Sequence, residues 1–244
     1  MIQYVRSVLF IIQMYLAMAV MAVYFAPFAV FRREAAYDAV GAYCRYVRWS
    51  ARWIVGLRSE VRGRVPTEEV LIASKHQSFF DIILIVSVVP RPKFIMKSSL
   101  VYAPILGWFA LRIGCVPVNR GKRTEAIRQM MAGVTAGDAP SGQLIIYPQG
   151  TRVAPGVVVP YKVGSAVIYE ETHQSCVPAA TNVGVFWPRQ GVLRKPGLAV
   201  VEFLEPITPG LSRTEFLSTL ESSVEHASDR LMQEAGFETA KPQG

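Results

Sequence analysis

Residues 8–31 form an almost unbroken apolar run in which Gln13 is the only strongly polar side chain. As a helix, these 24 residues reach about 36 Å, enough to cross a bilayer. Pro27 is expected to kink the last turn. Arg32 and Arg33 follow at once, whereas only Arg6 and the amino terminus precede the run. The positive-inside tendency then puts the rest of the chain on the cytosolic face of the inner membrane. A cleaved signal peptide is the competing reading, but its apolar core is normally shorter.

The helical pattern resumes over residues 34–57. At about 100° per residue, Arg45, Arg48 and Arg52 share one narrow stripe. Tyr46, Trp49 and Trp53 lie beside it, and Val40, Tyr43, Val47, Ala51 and Ile54 form the opposite face. Arginine, aromatic belt and apolar face in that order suit a helix lying in the membrane interface. The alternative is an ordinary helix packing on the domain, and the two helices together could also form a hairpin dipping into one leaflet.

Charge is distributed to match. Residues 1–65 hold nine arginines against three acids, and residues 66–200 hold fourteen basic residues against seven acids. Residues 201–244 reverse the sign, with eight acids against three bases. Positive charge beside greasy sequence suits anionic membrane or anionic substrate. No nucleic-acid-binding motif accompanies it. Cys44, Cys115 and Cys176 are odd in number and widely spaced, which argues against a disulfide framework or a zinc site.

Composition changes at Pro66, dividing the chain into a membrane-anchoring two-helix segment (1–65) and an α/β domain (66–244). Strands are expected at 70–74, 93–96, 115–118, 143–147, 176–183 and 198–204. Helical patterns occupy 82–89, 100–111, 124–135 and 212–234. Alternation of this kind implies an α/β fold with a mixed, largely buried sheet flanked by helices.

Two stretches carry chemistry. In Ser74-Lys75-His76-Gln77-Ser78-Phe79-Phe80-Asp81, His76 and Asp81 stand among apolar neighbours. An unneeded carboxylate there would be costly to bury, so Asp81 is read as orienting His76 as a general base. Five positions on one helix would point the two side chains about 140° apart. They meet only if His76 precedes the helix and Asp81 lies in its first turn, with Gln77 or Ser78 near the N-cap. In Tyr147-Pro148-Gln149-Gly150-Thr151-Arg152, a glycine, a hydroxyl and a guanidinium follow a strand, a set suited to a phosphate. Arg120 ends another strand, and Lys97 sits in a similar mixed context. Such cations can converge where strands end.

These motifs resemble those of the glycerolipid acyltransferase superfamily, within it the bacterial lysophosphatidic acid acyltransferases. The N-H-x-x-x-x-D motif resembles residues 75–81, with Lys75 in place of asparagine. A strand ending in arginine is similar to residues 114–120, F-P-E-G-T-R to residues 147–152, and V-P-(V)-A to residues 177–180. The resemblance implies acyl transfer from acyl-CoA or acyl carrier protein to the sn-2 hydroxyl of lysophosphatidic acid, without cofactor or metal. It implies His76 and Asp81 as the catalytic pair. Arg120, Gln149, Gly150, Thr151 and Arg152 would bind the acceptor; from the residues themselves, either Lys97 or backbone N–H groups would face the oxyanion. Gln149 stands where the family has a glutamate, which opens the acceptor to another lysolipid. A transacylase and a lipid-binding protein without turnover are the rival readings.

Overall fold

The computed structural model describes residues 1–119, 128–129, 131–132 and 141–238. The chain opens with two long helices, α1 (Ile2–Phe31) and α2 (Arg33–Ile54), turning at Arg32. They run antiparallel: Gln13 Nε2 donates to Ser50 Oγ at 3.1 Å, and Tyr46 OH donates to Gln13 Oε1 at 2.7 Å. Helix α1 runs through Pro27 and is fastened to the body at both ends. Gln3 Nε2 donates to the carbonyls of Val55 (2.9 Å) and Arg194 (2.7 Å), and Arg112 Nε donates to that of Ala29 at 2.8 Å. Its outer face, including Leu9, Ile12, Leu16, Val20, Val23 and Phe28, is exposed.

The expected lipid-facing apolar side of α2 is corrected by the packing. Ala36, Ala39, Cys44, Val47 and Ala51 are buried against the protein. Arg48 turns inward and donates to Ser59 Oγ (2.9 Å) and Ser87 Oγ (2.8 Å). What faces outward is Arg45, Trp49, Arg52 and Trp53.

Among the described residues seven strands follow: β1 (Leu57–Arg62), β2 (Leu71–Ser74), β3 (Pro92–Lys97), β4 (Val116–Val118), β5 (Gln143–Ile146), β6 (Cys176–Thr181) and β7 (Gly197–Phe203). They form one mixed sheet in the order β1-β7-β6-β2-β5-β3-β4. All neighbours run parallel except β6 and β7. Strand β1 lies ahead of the boundary expected at Pro66 yet belongs to this sheet, so the α/β body begins at Leu57. The expected second helix accordingly stops at Ile54.

Period-two alternation sends side chains to two cores. Ile72 and Ile145 join the α1–α2 side with Phe10, Val47 and the short helix α3 (Phe80–Val86). Leu71, Ala73, Leu144 and Ile146 join the other side. There they meet α5 (Gly164–Thr172), through Ala166 and Tyr169, and the C-terminal helix α6 (Arg213–Glu234), through Phe216, Leu220 and Val224. A reciprocal capping box starts α6: Ser212 Oγ accepts from Glu215 N–H and Glu215 Oε2 accepts from Ser212 N–H. A helix α4 (Pro104–Arg112), preceded by a 3₁₀ turn at Ser98–Tyr102, covers the β3–β4 edge. Of the helix expected at 124–135, residues 128–129 and 131–132 are helical and the others lie outside the described residues.

Candidate active site

The candidate site residues lie where β2, β3 and β5 end, next to the α1–α2 side of the sheet. Beyond β2 the chain stays tied to β6, since Lys75 N–H donates to Ala179 O at 3.0 Å. His76 then precedes α3 and Asp81 lies in its first turn, which is the only arrangement in which they can meet. His76 Nδ1 and Asp81 Oδ1 are 2.9 Å apart. Asp81 Oδ2 accepts from the backbone N–H groups of Gln77 and Ser78, both at 2.8 Å. As expected, Gln77 and Ser78 sit next to the N-cap, which is Phe79; Ser78 Oγ accepts from Phe80 N–H at 3.2 Å, and the carboxylate of Asp81 gathers the N–H groups of Gln77 and Ser78. With Asp81 wholly buried and three donors converging on it, its position is fixed.

The loop is held from three sides. Gln77 Oε1 accepts from Gly184 N–H at 3.0 Å. His76 O accepts from Val153 N–H at 2.7 Å, which ties the first motif to the loop after β5. Lys75 is 1% exposed and pairs with Glu225 of α6, whose other oxygen accepts from Tyr161 OH at 2.9 Å. The lysine that replaces the resembled asparagine thus anchors the C-terminal helix behind the loop.

The ring of Tyr147 stacks on His76, with centroids 3.9 Å apart and planes 21° apart. Its buried hydroxyl lies close to Asp81 without a hydrogen bond of full geometry. Burial first, and then the neighbouring carboxylate, push its pKa well above the usual range, so it stays protonated. The sequence reading gave Tyr147 no role.

His76 opens onto a cavity of about 490 Å³ whose inner wall is apolar, with Met21, Val40, Cys44, Ile83, Phe109 and Ile113. Lys97, Thr151 and Arg152 also line it, together with Arg189, which the sequence reading missed. Arg189 follows a buried stretch, 183–187, in which only Val185 is partly exposed, and no motif marks it. Gly150 and Gln149 are not part of this lining. Gly150 (φ +70°) makes the turn, and a Cβ on it would come within 2.6 Å of Lys162 Nζ. Gln149 is 1% exposed, and its amide atoms have no hydrogen-bond partner among the described residues. Arg120 lies outside the described residues. The fourth motif, in β6, is buried scaffold beside β2.

A mixed α/β sheet with a His–Asp pair at the mouth of an apolar cavity defines a class, and the family comparison agrees. The acyltransferase family model matches residues 58–182, so the chain belongs to the acyltransferase family and is an O-acyltransferase. Among its relatives are enzymes named 1-acyl-sn-glycerol-3-phosphate acyltransferase. That of Pseudomonas aeruginosa is 26% identical over 201 residues, covering 80% of this chain and 78% of the relative. That of Saccharomyces cerevisiae is 28% identical over 162 residues, covering 64% of this chain and 53% of the relative. The fold is that of the crystal structure of the 1-acyl-sn-glycerophosphate (LPA) acyltransferase PlsC from Thermotoga maritima. That match has a TM-score of 0.76 at 21% identity and covers 93% of this chain and 97% of the other.

Proposed function

We propose that the protein transfers a fatty acyl chain from an acyl thioester, acyl-CoA or acyl carrier protein, to the sn-2 hydroxyl of lysophosphatidic acid, giving phosphatidic acid. The observation that carries this reading is the His76 Nδ1–Asp81 Oδ1 contact of 2.9 Å at the mouth of an apolar cavity. Asp81 holds the proton on Nδ1 and leaves Nε2 as the base. Nε2 takes the hydroxyl proton as the oxygen attacks the thioester carbonyl, and the C–S bond breaks when the tetrahedral adduct collapses. The thiolate leaves with the proton that imidazolium returns, so atoms and charge balance without a covalent enzyme intermediate. General-base assistance of this kind is worth about 10²–10⁴-fold.

The apolar wall receives the acyl chain, and Thr151 and Arg152 at the rim hold the acceptor phosphate. Lys97, also at the rim, faces the developing oxyanion. The names of the relatives support lysophosphatidic acid as the acceptor. The fastening of α1 at Gln3 and again at Ala29 supports a hairpin lying in one leaflet of the inner membrane, with the body in the cytosol.

The test is an assay with labelled acyl-CoA and acyl–acyl carrier protein against a panel of lysolipids in vesicles. Product from a thioester and lysophosphatidate, with stoichiometric thiol release, is expected. Product only from phospholipid donors would mark a transacylase, and product only with another lysolipid would replace the acceptor.

A further inference from the structure

Arg152 and Arg189 stand 37 positions apart, on two different loops, yet each grips the other's backbone. Arg189 Nη1 donates to Arg152 O at 3.1 Å, and Arg152 Nη1 donates to Arg189 O at 3.4 Å. Both line the mouth of the cavity that His76 faces. Neither guanidinium has a carboxylate partner among the described residues. The contact brings two positive charges to one stretch of the rim, so an anion that reaches both gains from both.

A guanidinium carries five N–H donors in a planar fork, so each keeps most of its donors for a ligand. Arg189 is exposed and Arg152 partly so, leaving those donors open to the rim. We propose that Arg189 is the second half of a two-guanidinium clamp, with Arg152, that binds a phosphate monoester at the cavity mouth. The clamp deepens the acyl-transfer reading above and rests on it for its ligand. A monoester carries close to two negative charges at neutral pH, a diester one, so the clamp selects monoesters. Two substrates present that chemistry: the headgroup of lysophosphatidate and the 3′-phosphate of CoA.

The experiment uses the full chain in detergent–lipid micelles, with Arg189→Gln and Arg189→Lys beside the wild type. KM is measured for lysophosphatidate, for lysophosphatidylglycerol as the diester, and for acyl-CoA against acyl–acyl carrier protein. For Arg189→Gln, KM is expected to rise about tenfold, some 1.4 kcal/mol, for one monoester substrate, with kcat little changed. Lysophosphatidylglycerol should be nearly unaffected. A rise for lysophosphatidate assigns the clamp to the acceptor; a rise for acyl-CoA but not for acyl–acyl carrier protein assigns it to the donor. Arg189→Lys is expected to recover part of the loss, since charge returns without the fork. An unchanged KM for both monoesters, or equal rises for monoester and diester, would overturn the clamp and leave Arg189 a tie between loops. Calorimetric titration of lysophosphatidate and lysophosphatidylglycerol in the same micelles separates the clamp from the acyl-transfer reading. Monoester-selective binding that depends on Arg189, in a wild type without turnover, would retain the clamp and reject the function.

Discussion

His76 Nδ1 lies 2.9 Å from Asp81 Oδ1, and the second oxygen of that carboxylate is held by two backbone N–H groups at 2.8 Å. The imidazole therefore has a rigid partner on one nitrogen and the cavity beside it. Asp81→Asn keeps the size of the group but offers Nδ1 an amide in place of a charge. The turnover number is expected to fall by about 10²–10⁴ with little change in KM. Turnover within threefold of wild type would show that the carboxylate only holds the loop.

Tyr147 lies flat against the imidazole, and its hydroxyl has no hydrogen bond of good geometry among the described residues. Tyr147→Phe keeps the ring and removes a buried polar atom, so activity should stay within about threefold and the melting temperature should hold or rise. Tyr147→Ala removes the platform and is expected to cost about 3–5 kcal/mol of stability and at least tenfold in kcat. Paired denaturation and rate measurements check both. Equal kcat losses in the two variants would move the role from the ring to the hydroxyl.

Gln149 is buried with an amide that has no partner among the described residues, and a glutamate there would bring a carboxyl into the same dry place. Desolvation raises such a group above its unfolded pKa of about 4.3. The sign follows: below about pH 4 both folded and unfolded chains hold the proton and nothing is lost. Stability then falls as pH rises. A carboxyl held about two pH units high costs roughly 2.7 kcal/mol once ionised. Thermal melts of Gln149→Glu and wild type should therefore diverge from about pH 4 to about pH 6 and keep a constant gap above it. Parallel curves would show that the carboxylate finds water or a cation.

Helix α1 is tied down at Gln3 and at Ala29, so both of its ends are expected on the same side of the membrane as the body. A tag at Met1, probed by protease in inside-out vesicles, should be cut as readily as the C-terminal helix. Protection of the tag until detergent is added would mean that α1 crosses.

Much of the site could be read in the sequence because His76 and Asp81 are polar residues isolated in apolar sequence, and burial of a charge demands a reason. The five-residue spacing also required His76 to precede helix α3 and Asp81 to lie in its first turn, as they do, although the apolar pattern alone put the helix at 82–89 and not at Phe80–Val86. Strand β1 was not legible. Leu57–Arg62 mixes arginine, serine and glutamate, since it lies at the sheet edge with one side wetted. Helix α5 escaped because its short apolar face starts at a glycine. The inward turn of Arg48 depends on Ser59 and Ser87, which only the fold brings near. Arg189 was invisible for the same reason, since its partner lies 37 residues away on another loop.

The central claim is that the His76 imidazole accepts the hydroxyl proton during acyl transfer. Its most direct test is thiol release from acyl-CoA in vesicles containing lysophosphatidate, with His76→Ala beside the wild type at matched protein and vesicle binding. His76 is only 14% exposed but is not wholly buried, so the variant should fold, as a circular dichroism melt would verify. The expected result is a folded, membrane-bound protein whose acceptor-dependent thiol release is at least 10³-fold below wild type. A rate within tenfold of wild type in that folded variant would contradict the account.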